Sequence, residues 1–188
     1  MNLPNALSIT RIPVVFVIAW LMIVNSPAAN LAALCLFVLA ALTDWLDGYL
    51  ARRLGQITDF GKFADALADK VLTAGLFITL VSLDRMREDW CLLAVLVIVS
   101  REFMVTGLRL VAAGRGLVLA ADNLGKWKTA LQMVAIGLFL LVPVLSEKAA
   151  VQKVQCYSAA TVTFGLATLL TLVSGVSYFV KNREVFRA

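Results

Sequence analysis

Long apolar runs separated by short polar connections dominate this chain of 188 residues. Six of these runs have about the 20 residues that an α-helix needs to cross a bilayer. The pattern therefore predicts an all-α polytopic membrane protein with six transmembrane helices, in a single domain over residues 1–188. The predicted spans are Ala6–Val24, Leu31–Leu50, Phe63–Leu83, Cys91–Ala112, Thr129–Leu145 and Tyr157–Val180.

The composition agrees with this pattern, because 61% of the residues are hydrophobic and the mean hydropathy is +0.89. Basic residues flank the runs unevenly: only Arg85, Arg87, Lys148 and Lys153, four of the seventeen, lie at one end of the predicted spans. The positive-inside rule places the other end, and both termini, in the cytoplasm. We expect an integral membrane protein in contact with membrane lipids and not with nucleic acid, and without a removable signal peptide.

Two residue types narrow the chemistry. The chain has three cysteines without a C-x-x-C pattern, so no disulfide framework is expected. It has no histidine, which removes the commonest general base and the commonest transition-metal ligand.

Four aspartates stand out inside the apolar pattern: Asp44, Asp47, Asp65 and Asp69. A carboxylate near the middle of a membrane helix costs about 2.5–3.5 kcal/mol unless something compensates it. Residues three or four apart share a helix face, so each pair points one way, and the hairpin between the second and third spans brings the pairs together.

Oxygen ligands without His or Cys favour Mg²⁺, Mn²⁺ or Ca²⁺, and four carboxylates match two divalent ions. Two such ions can clamp a phosphoryl group during in-line displacement. Small residues at Gly48, Ala51 and Gly61 leave room for a phosphate, and Arg52 offers it a forked donor set. Two aspartates alone could equally cap a helix or bond a lysine; the full frame favours a metal site.

The frame D-x2-D-G-x2-A-R-x8-G-x3-D-x3-D resembles the signature of the CDP-alcohol phosphatidyltransferases at every position. The resemblance implies a six-helical, metal-dependent and homodimeric enzyme that uses two divalent cations, Mg²⁺ or alternatively Mn²⁺. It also implies metal binding by all four aspartates, with Asp69 as the catalytic base. The residues that it implies for CDP-lipid binding are Asn5, Ser8, Gly48, Ala51, Arg52, Thr58 and Gly61.

Beyond the signature, the chain is similar to the phosphatidylglycerophosphate synthases of that family as far as about Ile136. The similar segments include N-L-P-N-A-L-S-I-T-R near the N-terminus and G-K-W-K-T before the fifth span. One position departs from that subgroup, since Ala66 stands where a proline is common. The last fifty residues are interpreted as generic span sequence.

Cationic residues at the cytoplasmic ends of the fourth and fifth spans suit a dianionic acceptor such as glycerol 3-phosphate. Ordinary positive-inside topology is the alternative explanation for them. Glu102 is expected to pair with one of these cations. The residues predicted to bind the acceptor phosphate are Arg101, Arg109, Lys126, Lys128, Thr129 and Gln132.

We therefore expect transfer of the phosphatidyl group from CDP-diacylglycerol to glycerol 3-phosphate by direct displacement, with CMP as the leaving group. Other acceptors, such as inositol phosphate or serine, stay open. A divalent-cation transporter and a prenyl-diphosphate transferase are alternatives from other classes. The transporter would need exits at both faces, and the prenyl transferase would want a longer chain.

Overall fold

A computed structural model describes residues 3–53, 59–117, 119, 123–146 and 149–183 of the chain. Within its helices, the side chains of residues 3–8, 45–53, 59, 60, 62 and 123 lie outside the description. The regular secondary structure of the described residues is helical, and these residues contain no strand. The helices are α1 (Leu3–Val24), α2 (Pro27–Arg53), α3 (Asp59–Ser82), α4 (Trp90–Gly114), α5 (Asn123–Leu141) and α6 (Ala150–Lys181), with a 3-10 turn at Val142–Val144.

Each predicted span overlaps one helix, but the boundaries differ: the helices begin earlier than the spans, and the third and fifth spans run past the ends of α3 and α5. α5 begins at Asn123 and α6 at Ala150, both before the apolar runs that predicted them. A hydropathy pattern marks only the part of a helix that suits lipid, whereas polar first turns are equally compatible with helical backbone.

Four of the six helices are long and apolar enough to cross a membrane: they contain Pro27–Asp44, Trp90–Gly114, Leu124–Val144 and Ala150–Lys181. α1 contributes a shorter apolar stretch, Ile9–Val24. In α3, charged residues continue to Lys70, which leaves only residues 71–82 uncharged. The chain is thus a membrane protein by its helices, with four candidate spans.

The helices form a bundle in which the chain runs up and down. α1 packs on α2 and α3, α5 packs on α2, α3 and α6, and α4 closes the bundle against α3 and α6. One end holds Arg11, Asp44 and Asp69, and we refer to it as the aspartate end. The opposite end holds Asn25, Arg85 and Tyr157, and we refer to it as the distal end.

An apolar core lies between the two ends. Phe77 and Phe164 pack with ring centroids 5.0 Å apart, and Phe139 meets Phe164 edge-on at 6.5 Å. All three rings are fully buried, and replacing such a side chain by alanine typically costs about 3–5 kcal/mol. Gly137 lets α5 approach α2, because a Cβ there would lie 3.3 Å from the Phe37 ring.

Candidate active site

An arginine of α1 joins the two halves of the aspartate frame. Arg11 forms an ion pair with Asp44 of α2, and its Nη2 lies 3.5 Å from Oδ1 of Asp65 on α3. The Arg11 side chain is only 2% exposed, whereas the two carboxylates are about half exposed. The hairpin prediction is consistent with this geometry, because Asp44 and Asp65 share one cation. Sequence reasoning treated Arg11 only as a topological charge and missed this contact.

The structure does not describe the side chains of several predicted site residues. Asp47, Gly48, Ala51 and Arg52 belong to the last turns of α2, and Asn5 and Ser8 to the first turns of α1, but their side chains are outside the described set. Thr58 lies wholly outside the described residues. Gly61 is half-buried in α3, four residues before Asp65.

The described carboxylates fit a hard divalent cation. Arg11 Nη2, 3.5 Å away, is the cation paired with Oδ1 of Asp65, and that buried oxygen accepts no hydrogen bond of ordinary length from a described residue. Carboxylate oxygens such as this one are the ligands that Mg²⁺ and Mn²⁺ prefer. No three Asp, Glu, His or Cys side chains among the described residues are close enough to form a complete site, and Asp47 is outside that set. Asp44, Asp65 and Asp69 are the described residues that would hold such an ion.

A cavity of about 580 Å³ opens at the aspartate end. Asp44 and Asp69 line one part of its wall, and cationic side chains of α4 and α5 line another. The remaining positions include Ala66, where the subgroup departure falls, and Tyr178 from α6. The predicted residues that the structure brings together around this cavity are Asp44, Asp69, Arg101, Arg109, Lys126, Lys128 and Thr129.

Gln132 does not line this cavity. It is 2% exposed, and its Nε2 donates a hydrogen bond to Oγ1 of Thr171 at 3.2 Å. Thr171 in turn donates to the carbonyl of Ala167 at 2.7 Å. Gln132 therefore joins α5 to α6 inside the bundle, beside the cavity wall.

Glu102 organises the basic wall. It accepts a hydrogen bond from Arg101 Nη1 at 3.2 Å and pairs with Lys128, which is 5% exposed. The pairing expected for Glu102 is thus observed, with two cations instead of one. Because one carboxylate faces two cations, this group of three keeps a net positive charge beside Asp69.

α6 holds the first arginine of this wall in place. Arg101 Nη2 donates to Oγ of Ser174 at 3.2 Å, and the stem of Arg101 crosses Gly175. A Cβ at Gly175 would lie 2.9 Å from Arg101 Cγ, closer than real side chains approach. Only glycine permits this path, so position 175 determines where the guanidinium can lie.

α6 also holds the second arginine. Arg109 Nε donates to the Tyr178 hydroxyl at 3.0 Å, and its Cζ lies 5.4 Å from the centre of the tyrosine ring. Tyr178 is 2% exposed, whereas Arg109 is exposed. The buried tyrosine ring therefore holds the long arginine side chain at the cavity.

These α6 contacts were missed because the last fifty residues were interpreted as generic span sequence. A signal was nevertheless present in the spacing. Thr171, Ser174, Gly175 and Tyr178 follow the i, i+3, i+4, i+7 rule and form one face of the helix. Polar or small residues repeated on one face of an apolar helix indicate contact with polar groups of a neighbour.

An all-helical membrane bundle with carboxylates and cations around one cavity defines a class of protein suited to phosphate-containing substrates. A family model for CDP-alcohol phosphatidyltransferase matches residues 1–179. The chain belongs to the CDP-alcohol phosphatidyltransferase family.

Curated relatives resemble the chain over nearly its whole length. A CDP-diacylglycerol–glycerol-3-phosphate 3-phosphatidyltransferase of Bacillus subtilis is 40% identical, covering 99% of this chain and 97% of the relative. A protein of the same name from Rickettsia bellii is 37% identical, covering 98% and 97%. A cardiolipin synthase (CMP-forming) of Oryza sativa is 36% identical over 74% of this chain and 46% of its own length.

Proposed function

We propose that this enzyme transfers the phosphatidyl group of CDP-diacylglycerol to sn-glycerol 3-phosphate and releases CMP. The observation that carries the proposal is the cavity at the aspartate end, whose wall contains Asp44 and Asp69 together with Arg101, Arg109 and Lys126. Carboxylates suit a metal-bound pyrophosphate, and cations suit the phosphate of the acceptor. The names of the full-length relatives add independent support for both substrates.

In the proposed reaction, Asp69 accepts the proton of the 1-hydroxyl of glycerol 3-phosphate. The freed oxygen forms a bond to the phosphorus that carries diacylglycerol, and the bond from that phosphorus to the oxygen of CMP breaks. CMP leaves with the electron pair of that bond. The chain has no histidine that could activate a Ser or Cys nucleophile. We therefore propose direct displacement, without a covalent intermediate.

Asp44, Asp47, Asp65 and Asp69 would hold two divalent cations, with Mg²⁺ as the expected ion and Mn²⁺ as the alternative. When bound, such ions neutralise charge on the pyrophosphate and on the leaving CMP. Before binding, Arg11 supplies positive charge to Asp44 and Asp65. Gly48, Ala51, Arg52, Thr58 and Gly61, with Asn5 and Ser8, would contact the CDP-lipid.

Binding of the acceptor phosphate is assigned to Arg101, Arg109, Lys126, Lys128 and Thr129, with Gln132 supporting that wall through α6. Ser174, Gly175 and Tyr178 act as positioning residues, because they contact the arginines: Ser174 and Gly175 contact Arg101, and Tyr178, which also lines the cavity, contacts Arg109. This arrangement would make affinity for glycerol 3-phosphate depend on α6.

The same proposal includes six membrane spans in one domain, a homodimer, and a cavity that faces the cytoplasm of a bacterium. The uneven distribution of basic residues supports this orientation, since most of them lie at the aspartate end. A cation transporter is less well supported, because the cavity opens at one end and an apolar core lies behind it.

The test is a radiolabel assay of the purified chain with CDP-diacylglycerol, Mg²⁺ and labelled glycerol 3-phosphate. We expect a labelled lipid and an equal amount of CMP. Parallel reactions with inositol phosphate, serine and phosphatidylglycerol separate the possible acceptors. CMP release with one of these and not with glycerol 3-phosphate would retain the chemistry and reject the acceptor, whereas no CMP with any alcohol would reject both.

A further inference from the structure

A second cavity, of about 520 Å³, opens at the distal end. It lies between the α1–α2 connection, the α3–α4 connection and the start of α6. Tyr157 lines it, whereas Tyr178 lines the cavity at the aspartate end, and 21 residues of α6 separate them, about 31 Å along the helix. The proposed reaction makes no use of this distal cavity.

Arg85, which lines the distal cavity, has no counter-ion among the described residues. Arg85 Nη2 donates to the Met22 carbonyl at 2.9 Å and to the side-chain oxygens of Asn25 and Asn30 at 3.0 and 2.9 Å. All three acceptors are neutral, and Arg85 forms no ion pair with any described residue. Its Nη1 is buried and has no partner in the described part of the chain.

Burial without a counter-ion has a measurable consequence for this side chain. Desolvation lowers the pKa of Arg85 from its ordinary value, although an arginine stays charged at neutral pH. The three neutral acceptors also fix the guanidinium in one place, because they come from the end of α1, the α1–α2 connection and the start of α2. A partly buried guanidinium that is fixed in this way is already positioned to form an ion pair with an anion.

The rest of the distal cavity adds charge and an apolar wall. Arg87 and Lys153 also line it, and Asp84 is the acidic residue among the lining side chains. Glu88 and Asp89 follow in the same connection but do not line the cavity. The apolar part of the wall consists of Phe139, Val142, Pro143 and Val154, with Leu83. The lining therefore combines net positive charge with a surface suited to glycerol or acyl carbons.

We propose that the distal cavity binds a phosphate group with net negative charge, carried by an anionic phospholipid or by free phosphate. Cationic pockets between membrane helices commonly hold anionic headgroups in this way. Arg85 would supply a positive charge that is fixed in position, and Arg87 and Lys153 would supply further positive charge at the cavity wall. This inference does not depend on the proposed reaction, because no residue is shared between the two cavities.

The experiment measures dissociation constants by calorimetry for the full-length protein in neutral detergent. The probes are inorganic phosphate, short-chain phosphatidylglycerol and short-chain phosphatidylcholine, which has no net charge. To weaken anion binding at the aspartate end, all titrations use the Arg109→Ala/Lys126→Ala background. Adding Arg87→Ala and Lys153→Ala to this background should weaken binding of the anionic probe about tenfold or more.

Arg183→Ala, in the same background, is the matched control, because Arg183 is exposed just beyond α6 and lines neither described cavity. Binding of phosphatidylglycerol alone would identify a lipid headgroup as the ligand, and binding of phosphate as well would identify the phosphate group itself. Equal affinity for phosphatidylcholine, no binding of any probe, or unchanged affinity in the Arg87→Ala/Lys153→Ala protein would overturn the proposal. Size-exclusion elution and the helical circular dichroism signal verify that each variant is folded.

Discussion

The two ends of the bundle differ in the partners of three arginines, Arg11 and Arg101 at one end and Arg85 at the other. At the aspartate end, Arg11 and Arg101 are both paired with carboxylates that come from the frame or from the adjoining wall. At the distal end, Arg85 is held only by neutral oxygens. The carboxylates paired with Arg11 and Arg101 can bind a metal instead, and these arginines can bind a substrate anion. Arg85 is paired with no described carboxylate that a ligand would displace. The first arrangement suits chemistry and the second suits structure or retention of an anion.

The backbone shows a related difference. Asn25 and Asp84, both at the distal end, have positive φ of 50° and 53°. Asn and Asp tolerate this left-handed conformation better than other residues with a side chain. Two tight connections therefore bring Asn25 and Arg85 together, so the distal end is built from turns. At the aspartate end, by contrast, the residues that line the cavity all belong to helices.

The largest expected effect comes from removing the proposed base. Asp69→Asn keeps the size of the side chain but cannot accept the proton, so we expect kcat to fall about 10²–10⁴-fold. The matched control is Asp84→Asn, which makes the same change at the distal end, in a connection where asparagine also tolerates positive φ. Initial rates with CDP-diacylglycerol and glycerol 3-phosphate measure both. Near-normal turnover in Asp69→Asn would remove the base assignment.

The next effect concerns the ion pairs of α1. Arg11→Leu leaves Asp44 and Asp65 without their shared cation. Breaking a fully buried pair costs about 3–5 kcal/mol, and because these carboxylates are half exposed we expect roughly 2 kcal/mol. Millimolar Mg²⁺ should recover part of the loss if the carboxylates bind metal. Thermal unfolding in detergent with and without Mg²⁺ measures this.

Arg183→Leu is the control for Arg11→Leu, because it removes an exposed arginine at the end of the described chain. The unfolding temperature of the Arg183→Leu protein should stay close to that of the wild type. Mg²⁺ should shift the unfolding temperatures of these two proteins by the same amount. An Arg11→Leu protein as stable as this control would show that the Asp44 and Asp65 pairs contribute little.

Part of the fold was predictable from patterns within single helices, although the partners of the arginines were not. The six apolar runs predicted six helices, and the pairs Asp44/Asp47 and Asp65/Asp69 predicted two carboxylate-bearing faces brought together by a hairpin; the cation shared by Asp44 and Asp65 is consistent with this. Family membership also followed from the frame and is confirmed over residues 1–179. The helices followed from the length of the apolar runs, the shared faces from helical periodicity, and the family from resemblance to a known signature.

The rest depends on which helices become neighbours. Arg11 contacts residues 33 and 54 positions later in the chain, and Arg85 contacts residues 55 to 63 positions earlier. No local pattern specifies such partners. Gln132 shows the same limit, because its polar side chain suggested a ligand contact, whereas its partner is Thr171 on the next helix.

A smaller effect is expected where α6 supports the basic wall. Gly175→Ala places a methyl group 2.9 Å from Arg101 Cγ, so the arginine stem must move. Overpacking of this kind costs about 1–3 kcal/mol. We expect KM for glycerol 3-phosphate to rise about fivefold while KM for CDP-diacylglycerol changes little, a split that general destabilisation would not produce.

Gly165→Ala is the matched control for Gly175→Ala, made on the same helix but nearer the distal end. Its added Cβ would lie 3.6 Å from Trp90, an ordinary contact. Steady-state kinetics should leave this protein close to the wild type. If both variants change KM equally, the effect belongs to α6 as a whole and not to Arg101.

The smallest effect is expected from a single hydroxyl. Tyr178→Phe keeps the buried ring beside Arg109 and removes only the acceptor that lies 3.0 Å from Arg109 Nε. A hydrogen bond of this kind contributes about 1 kcal/mol, and Arg109 is exposed, so KM for glycerol 3-phosphate should rise about threefold with kcat unchanged. Tyr157→Phe repeats the change at the distal end, where that hydroxyl accepts from the Arg87 backbone N–H at 2.9 Å. Because Tyr157 is remote from the reaction, its variant should keep wild-type KM. A threefold rise in both proteins would mean that the two ends are coupled through α6, and a rise in neither would leave Arg109 positioned by its cation–π contact alone.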